Sequence, residues 1–223
     1  DIVAGLSLGE YSALVAAGAL SFEEAVALVS KRGEFMETAA PAGSGKMVAV
    51  MNTDPALIEE ICQKASVKGV VTPANYNTPA QIVIGGEVEA VDYAVELLQE
   101  AGAKRLIPLN VSGPFHTALL ASASEKLATE LEKVTFKDFI LPLVGNTEAQ
   151  IMKSDEIKTL LARQVMEPVR FYDSIATIQE FGVDEVVEIG PGKVLTGFLK
   201  KIDKTLPTKN VEDQASLDTL LNE

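Results

Sequence analysis

Gly5-Leu6-Ser7-Leu8-Gly9 fits the G-x-S-x-G pattern. In that pattern a serine sits on a tight turn between a strand and a helix, with its hydroxyl lifted above a sheet edge. The flanks have the composition this needs. Ile2-Val3-Ala4 is a short apolar run suited to a buried strand, and Leu8 to Ala17 carries Leu8, Tyr11, Leu14 and Val15 on one helical face. Each glycine is expected at a strained turn that leaves little room for side chains near the serine. An ordinary strand–helix turn that contains a serine fits the pentapeptide equally well.

Turn signals divide the rest of the chain. Ser21 and Glu24 form a capping box for a helix reaching about Ala39, and Pro41 to Gly45 is a loop and a domain boundary. Between Lys46 and Asn110 the order is strand (Met47–Met51), helix (after Asp54-Pro55, to about Ala65), strand (Val70–Asn75), strand (Gln81–Ile84), helix (Glu87–Ala101), strand (Arg105–Leu109). This βαββαβ order predicts a ferredoxin-like subdomain over residues 46–110, inserted into a main domain of residues 1–45 and 111–223. Past Val111, the loop Ser112-Gly113-Pro114-Phe115-His116 leads to a helix over about Leu119–Val134. A short strand follows at Pro142–Gly145, then a helix Asp155–Val165 capped by Ser154, and a helix Phe171–Glu180 ended by Gly182. Val186–Ile189 reads as a buried strand, Gly190-Pro191-Gly192 as a turn into a helix Val194–Lys201, and the rest as a polar tail with an amphipathic piece at Leu217–Leu221. Alternating strands and helices predict an α/β main domain with a mainly parallel sheet. Earlier strands are expected beside Ile2–Ala4, so a preceding N-terminal segment is expected too.

Charge and cysteine usage narrow the function. A net charge of −13 argues against nucleic acid and acidic membranes as partners. No run is apolar enough to span a bilayer. Cys62 is the sole cysteine, which excludes an internal disulfide, fits a cytoplasmic setting and leaves no Cys/His set for a structural zinc.

A serine nucleophile needs a base, and His116 is the only histidine. It lies in a Gly-Pro-containing loop, where either a catalytic or a structural role fits. Asp173, Asp184 and Glu188 could orient it, as could a backbone carbonyl. Arg32 is either a solvated helix arginine near Glu34 or a bidentate clamp for a carboxylate. The amides of Asn75 to Gln81 are explained by turn chemistry alone. Gly190-Pro191-Gly192-Lys193, opening a helix, fits an anion site but lacks both dinucleotide and P-loop spacing.

Taken together, Gly5–Leu14, Lys31-Arg32-Gly33, Asn75-Tyr76-Asn77-Thr78-Pro79, Gly113-Pro114-Phe115-His116 and Glu188–Leu195 resemble the malonyl-CoA:acyl carrier protein transacylase family of bacterial fatty acid synthesis, and more loosely the acyltransferase domains of polyketide synthases. The resemblance implies an α/β-hydrolase-like main domain and ping-pong transfer of malonyl from malonyl-CoA to acyl carrier protein. In it Ser7 is the nucleophile, His116 the base oriented by the carbonyl of Gln164, and Arg32 the malonyl clamp. It also implies that Asn75 and Asn77 lie near the pantetheine arm and that Phe115 disfavours an α-methyl group. The Leu8 N–H is one oxyanion donor, a second coming from a glutamine-containing loop in the N-terminal segment that precedes this sequence; without it, the chain alone is expected to lack strands its sheet needs. Malonyl-CoA is a substrate, and no cofactor is expected.

One departure is Leu6, where the family has histidine. The acidic total also requires a local basic patch for acyl carrier protein, with Lys31, Lys46, Lys104, Arg105, Lys193, Lys200 and Lys201 as candidates. A monomer is expected. Rival readings are a thioesterase or esterase using Ser7 and His116, and a non-catalytic docking domain.

Overall fold

The structure, a computed structural model, describes residues 1–111 and 113–222. Ser112, expected at the head of the His116 loop, lies outside the described residues. Strand β1 (Val3–Ala4) runs into the serine turn and helix α1 (Gly9–Ala16) leaves it. A side chain at Gly5 would stand 2.0 Å from the Gly9 carbonyl, so the first glycine lets the chain fold back on itself. A side chain at Gly9 would meet nothing within 4 Å, so the expectation of steric need holds for Gly5 alone. On α1, Tyr11 and Leu14 are buried as the periodicity predicts, but Leu8 is 55% exposed and Glu10 is buried.

Helix α2 (Phe22–Ala39) opens on the expected capping box: the Ser21 hydroxyl accepts from Glu24 N–H, and the Glu24 carboxylate accepts from Ser21 N–H. Its buried face is Ala25, Leu28, Arg32 and Met36.

The next unit comprises β2 (Lys46–Met51), α3 (Pro55–Ala65), β3 (Val71–Thr78), β4 (Gln81–Gly86), α4 (Val88–Glu100) and β5 (Arg105–Pro108). Its sheet has the order β3-β4-β2-β5, every neighbour antiparallel. Alternation along β2 sends Val48 and Val50 into a cluster with Ile58, Ile61, Val91 and Leu98 of the two helices. Met47, Ala49 and Met51 face the other way, where Phe115 packs on them.

A 3₁₀ turn over Ala118–Leu120 precedes α5 (Ala121–Leu131), splitting the single helix expected there. Then come β6 (Leu143–Val144), a further 3₁₀ turn (Ser154–Glu156), α6 (Ile157–Gln164), α7 (Phe171–Phe181), β7 (Val186–Ile189), α8 (Val194–Ile202), β8 (Thr208–Val211) and α9 (Gln214–Leu221). Ser154 lies inside the 3₁₀ turn and does not cap it; the residue before it, Lys153, does, giving its N–H to the Glu156 carboxylate.

The parallel strands form two separate pairs, β1–β6 and β7–β8, and not one continuous sheet. The pairs are joined by side-chain packing: Ala4, Leu6, Val144, Phe171, Val186 and Leu199 share one apolar cluster. Two further expectations fail here. Val186–Ile189 is not buried, since Ile189 is 81% exposed, and the tail contains strand β8. Thr208-Lys209-Asn210-Val211 earns its place through backbone pairing along β7, which needs no apolar pattern.

The antiparallel unit is sewn to the rest by main chain. Tyr76 N–H donates to the Val169 carbonyl (2.8 Å) and Val169 N–H to the Ala74 carbonyl (2.9 Å).

Candidate active site

Ser7 sits at the turn with φ 52°, in the left-handed region. Two amide side chains from distant elements hold it there. Asn146, just past β6, accepts from Ser7 N–H through Oδ1 (2.7 Å) and donates through Nδ2 to the Gly5 carbonyl (2.6 Å). Gln164, the last residue of α6, donates through Nε2 to the Ser7 carbonyl (2.8 Å). A main-chain N–H only donates and a carbonyl only accepts, so these partners fix which end of each amide is oxygen.

His116 approaches from the loop after β5, itself at φ 59°. Its Nε2 lies 2.8 Å from Ser7 Oγ and its Nδ1 lies 2.7 Å from the Gln164 carbonyl. The carbonyl can only accept, so Nδ1 carries the proton and the Nε2 lone pair faces the hydroxyl. Burial of the ring, 4% exposed, pushes its pKa down to about 4. The imidazole is therefore neutral at pH 7 and able to take a proton.

Arg32 completes the surround of Ser7. Its Nη2 donates to Ser7 Oγ (2.9 Å) and to Gln164 Oε1 (3.1 Å), and its guanidinium lies over the Tyr11 ring at 5.6 Å. Only 5% of it is exposed, and burial lowers its pKa, though a guanidinium stays charged. Its Nε–H is buried with no hydrogen-bond partner among the described residues. A cation with a spare buried donor beside a serine hydroxyl is equipped to receive an anion. Of the two readings of Arg32, the solvated one is excluded by its burial.

Asp173 pairs with Arg170 (2.8 Å), and Glu188 caps α8 through the N–H groups of Leu195 and Thr196 (3.0 and 2.7 Å), so neither orients the histidine. Phe115, half-buried beside His116, packs against both the small unit and the helical core. Leu8 N–H heads α1 immediately past the serine. Asn75 and Asn77 are buried on β3, but no hydrogen bond joins their side chains to Ser7, His116 or Arg32 among the described residues. Leu6 belongs to the apolar cluster around Phe171. Of the proposed basic patch, Lys31, Lys46 and Lys193 are engaged with Glu130, Asp92 and Glu212.

Two residues were missed in the sequence. Asn146 follows a short apolar strand in Gly145-Asn146-Thr147, which reads as turn chemistry. Glu10 reads as a first-turn carboxylate complementing the helix dipole. It is instead 1% exposed, accepting from Asn146 N–H (2.8 Å) and Gln164 Nε2 (2.5 Å), and burial pushes its pKa up to about 7.

Residues 1–221 match the acyl transferase domain family. The malonyl CoA-acyl carrier protein transacylase of Bacillus subtilis (strain 168) is 48% identical over 220 residues, covering 98% of this chain and 69% of that protein. The crystal structure of MCAT from Streptococcus pneumoniae superposes with a TM-score of 0.98 at 71% identity, covering 100% of this chain and 73% of that one. A malonyl-transacylase solved in complex with its type II PKS acyl-carrier protein superposes with a TM-score of 0.96 at 44% identity, covering 99% and 72%.

Proposed function

This chain belongs to the acyl transferase domain family, and on that premise we propose that it carries malonyl from malonyl-CoA to the phosphopantetheine thiol of acyl carrier protein through an ester on Ser7. It is an acyltransferase. In the first half-reaction Ser7 Oγ bonds to the thioester carbonyl carbon while its proton passes to His116 Nε2. The C–S bond then breaks, and CoA leaves with that proton. In the second half the pantetheine thiol gives its proton to His116 and attacks the ester. The C–O bond breaks and Ser7 recovers its hydroxyl. The Gln164 carbonyl keeps the imidazole in the tautomer this requires and favours its charged form as it appears. Leu8 N–H, at the head of α1, donates to the oxyanion.

The observation that carries the malonyl assignment is Arg32: a buried guanidinium 2.9 Å from Ser7 Oγ with an unused Nε–H. It pairs with the free carboxylate that malonyl has and acetyl lacks. Phe115 crowds an α-methyl group, worth about 1–3 kcal/mol of discrimination. Asn75 and Asn77 line the pantetheine path. No bound cofactor takes part.

The architecture is read as an α/β-hydrolase-like main domain, residues 1–45 and 111–223, with a ferredoxin-like unit of residues 46–110 inserted. The strand order β3-β4-β2-β5 supports the second part. The working form is read as a cytoplasmic monomer that binds neither nucleic acid nor membrane. Its net charge of −13 supports this, and no helix among the described residues is long and apolar enough to cross a membrane.

The test is the mass of the protein after malonyl-CoA treatment. We expect a malonyl adduct on Ser7, discharged by added acyl carrier protein faster than by water. Removing the cation of a buried pair costs about 3–5 kcal/mol. Arg32→Ala should therefore lower kcat/KM for malonyl-CoA roughly 10²–10⁴-fold, and far more than it lowers that for acetyl-CoA. Equal losses for both, or discharge to water alone, would overturn the reading.

A further inference from the structure

Acyl transfer as described gives no task to Glu10, a buried carboxyl at the site. Both oxygens of Glu10 face donors, Oε1 the Asn146 N–H (2.8 Å) and Oε2 the Gln164 Nε2 (2.5 Å). The Gln164 amide cannot be turned over. Its Nε2 also donates to the Ser7 carbonyl, and its Oε1 accepts from Arg32 Nη2 (3.1 Å), which has nothing but donors to offer. One side-chain amide thus stands between a buried carboxylate and a buried guanidinium, meeting each with the atom of matching sense.

The titratable groups around Glu10 are few. Arg32 faces it from α2 and Tyr11 from its own helix, where burial raises the phenol and keeps it neutral. His116 is reached through Gln164, whose carbonyl takes its Nδ1 proton. Asn146 and Gln164 do not titrate. With His116 neutral, the site balances one guanidinium against one carboxylate. A malonyl group adds a second carboxylate to the same buried cation, and an uncompensated buried charge is costly.

We propose that Glu10 is the resident counter-charge of Arg32, acting through the Gln164 amide, and that it takes up a proton when a malonyl carboxylate pairs with the guanidinium. Glu10 is on this account a positioning residue and does not touch the acyl group. The inference rests on the reading of Arg32 as the malonyl clamp. A pKa near 7 makes the uptake easy around neutrality, and a protonated carboxyl keeps lone pairs for both present donors. Acetyl-CoA, with the same CoA phosphates and no acyl carboxylate, should bind without that extra proton.

The experiment uses Ser7→Ala, which binds without being acylated. Calorimetric titrations at pH 8, in two buffers of different ionisation enthalpy, count protons for malonyl-CoA and acetyl-CoA. Malonyl-CoA should take up close to one proton more, and its Kd should rise by up to about tenfold per pH unit above neutrality relative to acetyl-CoA. Adding Glu10→Gln should abolish both differences. Equal proton counts for the two ligands would overturn the proposal. So would an excess that survives Glu10→Gln, which would put the proton on His116.

Because a second amide facing Gln164 could impair folding, Ser7→Ala alone supplies a further readout. With carbon-13-labelled glutamate and unlabelled ligand, infrared difference spectra should gain a protonated glutamate carboxyl band with malonyl-CoA and none with acetyl-CoA; no gain overturns the proposal. Arg32→Ala on the Ser7→Ala background separates the two layers. If the malonyl-to-acetyl affinity ratio is unchanged, the clamp reading itself fails. If the ratio collapses while the clamp-intact protein shows no proton uptake, only the role of Glu10 fails.

Discussion

Ser7 and His116 both hold left-handed backbone angles, φ 52° and 59°, which cost an L-residue about 1–2 kcal/mol each. At Ser7 the compensation is visible: Asn146 takes its N–H and Gln164 its carbonyl. Asn146→Ala leaves Ser7 N–H and the Gly5 carbonyl unpaired, and each such buried group costs about 1–3 kcal/mol. We expect a loss of that order in urea unfolding and a fall in kcat, whereas unchanged stability would show that the turn holds itself. His116 gives a pH signature. Its pKa falls to about 4 in the folded protein, from an ordinary 6.5, so the unfolded chain binds the proton more readily. The stability contributed by the neutral ring is complete above about pH 6.5 and is lost as pH falls towards 4. Acylation of Ser7 should accordingly keep its rate well below pH 6.5 before an acid limb appears; a limb at 6.5 would contradict the buried geometry. Serine and histidine were legible because each is a rare chemistry in a recognisable setting. Glu10 was not, because a carboxylate in a first helical turn usually faces water, and only tertiary packing decides otherwise.

Helices and turns in this chain were readable where a local cause sets them. The Ser21–Glu24 box starts α2 and Gly182, at φ 88°, ends α7. The face of α2 also held an unread signal. Leu28, Arg32 and Met36 recur every four residues, so an arginine stands on the buried stripe itself. Strand β8 had no such signal, since its pairing with β7 is made by backbone. The serine turn gives a paired test of element geometry. Gly5→Ala forces a methyl to 2.0 Å from the Gly9 carbonyl and should leave little soluble folded protein. Gly9→Ala meets nothing and removes backbone freedom from the first position of α1. It should preserve or raise the melting temperature, by up to about 1 kcal/mol of stability. If the two behaved alike, the crowding at Gly5 would not be the constraint.

Across the whole molecule, the segment from Gln164 to Phe171 links what the sequence treated as separate parts. It supplies the carbonyl under His116, pairs Val169 with β3 and opens α7. The βαββαβ order was legible from turn residues, but this seam was not, because it joins backbone groups far apart in the chain. Arg170 adds to it by lying 5.5 Å over the Tyr76 ring while paired with Asp173. Both partners of that ion pair are more than a third exposed, so Arg170→Ala should cost under about 1 kcal/mol in denaturant unfolding. A larger loss would mean that the side chain, and not the main-chain pairing, holds the units together. The carbonyl of Gln164 has a different reach. Every amino acid carries one, so no substitution at position 164 deletes the acceptor that orients His116. In a saturation scan of the gene, the profile at that position would report the side-chain amide alone. Lesions of the ring anchor would surface elsewhere, as packing changes at Leu161, Val165 or Val169 that shift the backbone. The part of the machine in closest touch with the base is thus hidden from point mutation, its inheritance dispersed through the residues that hold α6 in place.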